Sequence, residues 1–134
     1  GITVAGAALI GVFAVDLGIA TLGLAPAAAL QPPGAAFGSA LGLRAAIDLC
    51  GLAIAGGLFV VPAFAAVQAW SDVAYRARTI AGVNVLNAGF MTAATVVVAL
   101  LQKQGVTLAE LFVGLGVLTL GVALAVWRTK PKTV

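Results

Sequence analysis

The chain has 134 residues, of which 63% are hydrophobic and only 8% charged, with a net charge of +3. That balance excludes a water-soluble fold, because too few polar side chains remain to cover a globular surface. A charge this small and dispersed also excludes a nucleic-acid interface, and the absence of His removes His-based acid–base catalysis and His metal ligation within the chain.

Four apolar runs follow in order: Ile2–Ala25, Leu43–Ala69, Thr79–Leu101 and Thr107–Trp127. Each is long enough to cross a hydrocarbon core of ~30 Å as a helix. None carries the charged stripe of a soluble amphipathic helix. The expected fold class is therefore an all-α integral membrane protein with four transmembrane helices. The abundance of Gly and Ala in the runs suggests close helix packing. The first run has no start residue and no basic segment before it, so it is not a signal peptide. The chain is read as a piece of a longer protein.

The first connector, Pro26–Gly42, contains Pro26, Pro32, Pro33, Gly34 and Gly38, and its Pro-Pro-Gly run is expected to stop any helix there. The second, Trp70–Arg78, is short and polar. The third, Gln102–Val106, turns around Gly105. A basic tail, Arg128–Val134, closes the chain. The second connector and the tail share one side and hold five of the seven Lys and Arg residues, so that side is expected to be cytoplasmic. Both ends of the chain then face the cytoplasm, and Trp70 and Trp127 mark the cytoplasmic interface.

Asp16 is the one charge well inside a run. It needs a cation, a proton or water. Asp48 lies one to two turns into the second run, four residues after Arg44. Arg44 and Asp48 can therefore pair along one helix, while Asp16 with Arg44 would join two helices. In the second run, Pro62 leaves the carbonyl of Leu58 without its helical donor and is expected to bend the helix. Gly56 and Gly57 before it allow a neighbour to approach. In the third run, Asn84 and Asn87 are three apart and share a face. They serve either as an interhelical hydrogen bond or as the lining of a polar substrate pathway, with Gln68 near the cytoplasmic interface. Arg76 and Arg78 either report positive-inside topology alone, clamp the moving helices at the cytoplasmic loop, or meet anionic headgroups of the membrane lipid. Glu110 suits the first turn of the last helix. The runs show no nucleophile with a base, no carboxylate pair and no metal set, so neither an enzyme nor a metal or other cofactor is expected, and the lone Cys50 cannot form an internal disulfide.

The series Gly56-Gly57, Phe59, Pro62, Gln68, then Arg76 and Arg78, then Asn84 and Asn87, resembles the C-terminal part of a major facilitator superfamily transporter. It is most similar to the bacterial lysophospholipid transporter branch, often fused to a phospholipid acyltransferase. Asp16-Leu17 and the Arg44–Asp48 spacing also resemble the fused members. The chain departs from that branch at Val83, where Asn is usual, and at Ala74, where an acidic residue is usual. The resemblance implies that the runs are helices nine to twelve of a twelve-helix fold, a partial C-terminal half working by alternating access. It implies a lysophospholipid substrate, the remaining helices of the transporter as partners, and a multi-pass place in the bacterial inner membrane. The alternatives are another transporter of the superfamily, such as a drug exporter, and a non-transporting membrane anchor for a fused acyltransferase.

Overall fold

A computed structural model describes residues 1–24 and 32–129. Pro26 and the basic residues Lys130 and Lys132 lie outside these. The described elements are α1 (Ile2–Thr21), α2 (Pro33–Phe37), α3 (Ala40–Trp70), α4 (Arg76–Lys103) and α5 (Leu108–Thr129). Four of them are long and apolar enough to cross a membrane.

The helix ends correct the run boundaries, because polar ends of membrane helices are invisible to hydropathy. α1 stops at Thr21, not Ala25, in a turn where Gly23 takes φ +75°. Its last hydroxyl is satisfied locally, Thr21 Oγ1 donating to the Leu17 carbonyl at 2.8 Å. The first connector does contain a helix. Proline's fixed φ suits a first helical position, so α2 starts at Pro33 instead of being blocked there. α3 begins three residues earlier than its apolar run, capped by Ser39, whose Oγ accepts from the Gly42 N–H at 2.9 Å. Its 31 residues reach roughly 46 Å, longer than the ~30 Å hydrocarbon core, so α3 either tilts or extends beyond it. α4 takes in Arg76 and Arg78, which occupy its first turn and not a loop. α5 opens with a capping box: Thr107 N–H donates to Glu110 Oε2 at 2.7 Å, and Glu110 N–H donates to Thr107 Oγ1 at 3.3 Å. Glu110 is thus a structural residue of the turn that follows Gly105 (φ +92°).

α1 is the middle helix, with α3 packed on one side and α5 on another. Both run antiparallel to it, since Gly6 lies against Ala55 and Phe59 of α3 while Gly18 lies against Ala109 and Val113 of α5. The seams are built from small residues. On α5 the buried positions are Ala109, Gly116 and Ala123, seven apart. That spacing keeps them on one line along the helix. Opposite them, Gly11 and Gly18 of α1 are also seven apart. Backbone meets backbone here: a Cβ on Gly116 would stand 2.8 Å from the Gly11 carbonyl oxygen. On the other seam α3 buries Asp48, Gly51 and Ala55, and the Phe13 ring fills the space beside Gly51.

α4 stands apart, touching α3 sparsely and burying no residue. Gly56 and Gly57 have no atom of the described residues within 4 Å of where a Cβ would be, so they bring no neighbour close. The face of α3 that α1 covers runs through Gly51, Ala55 and Phe59, and the glycine pair lies off that face. α3 continues as one helix through Pro62.

Candidate functional site

Three charged residues of the spans, Asp16, Arg44 and Asp48, come together at the seam between α1 and α3 near the C-terminal end of α1. Asp16 lies five residues, roughly 8 Å, before the end of α1. Arg44 lies one turn into α3. Because the two helices are antiparallel, these positions come level. Arg44 Nε donates to Asp16 Oδ2 at 3.0 Å, and a second guanidinium nitrogen donates to Asp16 Oδ1. This is the two-pronged geometry that makes Arg a strong carboxylate partner. Arg44 therefore bridges two helices and does not pair along α3 with Asp48. In this chain the pair is open on its outer side, with 50% of the Arg44 side chain and 41% of the Asp16 side chain exposed.

Asp48 lies one turn further along α3 and is the opposite case. It is 3% exposed, the one buried charged residue among those described. Asp16 and Arg44 are its charged neighbours. Its Oδ2 is buried without a hydrogen-bond partner among the described residues. The sequence reading saw no carboxylate pair in the spans, and the fold makes one, because Asp16 and Asp48 are 32 positions apart and meet only when α1 and α3 pack. Asp48 is also the better-buried carboxylate, although Asp16 sits further inside its apolar run. Run position measures depth along one helix, whereas burial depends on which face a neighbour covers.

The other site residues are not brought to this cluster. Asn84 and Asn87 lie on α4, exposed, with no side-chain partner among the described residues. Gln68 is exposed near the end of α3, and Arg76 and Arg78 are exposed in the first turn of α4. Cations at a helix N-terminus are opposed by the helix dipole, so local helix electrostatics does not explain these two arginines. The intervening connector is ordered by Asp72, whose Oδ1 accepts from the Ala74 N–H at 2.9 Å.

Two open apolar grooves flank the α1–α5 seam. One is lined by Val4, Ala8, Leu120, Leu124 and Trp127, the other by Leu17, Leu24, Leu49, Val106 and Phe112. Neither is lined by a charged side chain. No group of three or more His, Cys, Asp or Glu residues among the described residues is arranged to hold a metal. What the sequence reading missed was the seven-residue small seam and the buried Asp48. The first was readable in the spacing of Gly11, Gly18, Ala109, Gly116 and Ala123; the second was not. No protein-family model, no curated protein and no solved structure matches the chain.

Proposed function

We propose that this chain is the last four helices of a major facilitator transporter that carries lysophospholipid inward across a bacterial inner membrane by alternating access. The observation that carries the reading is α4. It is an apolar helix of 28 residues that buries nothing in this chain, yet bears Asn84 and Asn87 on one face. Two amides facing hydrocarbon without partners are costly. A larger bundle with a polar interior gives that face its use, and the resemblance supplies such a bundle. The charge cluster tying α1 to α3 adds support, since ionisable groups inside spans belong to substrate or ion pathways more often than to passive anchors. In this reading Gln68 borders the pathway, Gly56, Gly57 and Pro62 give α3 a flexible point, and Arg76 and Arg78 hold the cytoplasmic loop.

The test is uptake of labelled lysophospholipid by the full-length protein in proteoliposomes. Asn84→Leu and Asn87→Leu are expected to abolish most uptake and to leave the amount of membrane-inserted protein unchanged, because neither side chain holds this bundle together. Normal uptake by both variants reduces the pair to packing. Transport of drug-like cations with no lysophospholipid movement favours an exporter, and no transport of either favours an anchor.

The same reading fixes the topology. A cysteine placed at Gly34, in the first connector, is expected to react with an impermeant thiol reagent added from outside intact cells. Reaction only from the cytoplasmic side reverses the orientation assigned from Arg76, Arg78 and the basic tail.

A further inference from the structure

We propose that Asp16 and Asp48 form a one-proton site: Asp48 holds the proton while Arg44 pairs with Asp16, and movement of Arg44 from Asp16 to Asp48 passes that proton to Asp16 or to water. The inference needs α1 and α3 in a membrane and does not depend on the identity of any substrate.

Two carboxylates face one guanidinium, and the guanidinium gives both of its observed hydrogen bonds to Asp16. With both acids ionised, the cluster would keep one uncompensated negative charge in a span, which a bilayer opposes. One proton makes it neutral. Asp48 is the buried acid, and its Oδ2 accepts from nothing among the described residues. An ionised oxygen there would give up its hydration with no bond in return. As a carboxylic acid, Asp48 has an O–H to donate and the Asp16 carboxylate beside it to receive it. Adjacent carboxylates of this kind titrate as a pair.

Arg44 and Asp48 are four residues apart on α3 and share a face. Arg44 can turn from the partner on the neighbouring helix to the partner on its own. The O–H bond on Asp48 then breaks as Arg44 takes over its carboxylate, and the proton forms a new O–H bond on Asp16 or leaves with water. The charge of the cluster is conserved in the first case and falls by one in the second. In either case the cross-helix bond is lost, so the protonation state sets how tightly α1 is held to α3.

Among the described residues, no other titratable group is brought to the pair. Asp16 faces Asp48 from α1, and Arg44 does so from α3. α2 carries no titratable residue, and α4 carries none between Arg78 and Lys103. On α5, Glu110 is held in its own cap by Thr107.

Infrared difference spectra of the full-length protein in lipid, recorded against pH, report protonated carboxyl groups directly. Wild type is expected to show a carboxylic-acid carbonyl band at neutral pH that shifts on labelling aspartate with carbon-13. Asp48→Asn should remove this band. Asp16→Asn should remove it too, because Arg44 is released to pair with Asp48 and hold it ionised; an acid protonated by burial alone would keep its band. Absence of the labelled band in wild type refutes the site without any variant. Persistence of the band in Asp48→Asn places the proton elsewhere, and persistence in Asp16→Asn ends the exchange mechanism.

Discussion

Arg44→Gln is expected to cause the largest loss of stability of any single substitution in the bundle, a several-fold fall in folded protein recovered from the membrane. Arg44 pairs with Asp16 and is the one cation beside the two acids among the described residues. Removing it leaves Asp16 and Asp48 adjacent with no positive charge, and stranding charge in this way costs far more than the net worth of the pair. The loss should therefore be reversible by charge and not by shape. Asp16→Asn and Asp48→Asn added to Arg44→Gln replace every charged group by a neutral one of similar size, and the triple variant should recover most of the folded protein. Comparison by size-exclusion profile and thermal melting in detergent checks this. A single variant as stable as wild type, or a triple variant no better than the single, removes the charge cluster from the account of the fold.

Gly116→Ala is expected to destabilise the α1–α5 seam by about 1–3 kcal/mol, the usual range for forcing one extra methyl into a close-packed contact. The added Cβ would lie 2.8 Å from the Gly11 carbonyl oxygen and 2.8 Å from the Val15 backbone nitrogen. Backbone cannot rotate aside as a side chain can, so the helices must move apart. Gly114, two residues earlier on the same helix, is the control. It has nothing within 4 Å of its Cβ position, and Gly114→Ala should be neutral or gain about 0.5–1 kcal/mol from reduced backbone freedom. Equal effects at the two positions in reversible unfolding would show that helix propensity, not the seam, decides both.

These two seams show where the sequence was readable. The four spans follow from composition, because a run of some twenty apolar residues has few options but to cross a bilayer as a helix. Helix ends were less legible: Thr21, Ser39 and Thr107 end or cap their helices by hydrogen bonds of single side chains, which leave little trace in hydropathy. The extension of α4 over Arg76 and Arg78 was missed for the same reason, since charged residues at the interface continue a helix without being apolar. The small-residue spacing on α1 and α5 was present in the sequence but did not say which helices it would join.

By itself the sequence determined that this is a membrane-embedded helical chain, that its spans hold few ionisable residues, and that Asp16 must find a partner there. The cost of an unpaired charge in hydrocarbon is a local property, and it can be read one residue at a time. Only the tertiary structure decided who the partner is. Arg44 can reach Asp48 along its own helix or Asp16 across a seam, and nothing in the spacing chooses between them. The choice comes from the antiparallel packing of α1 on α3, held close by Gly6 and Gly51, which levels Asp16 with Arg44 and covers Asp48. Burial belongs to a face and its neighbour, so the acid that looked peripheral in sequence is the enclosed one, and the acid that looked deep is the open one.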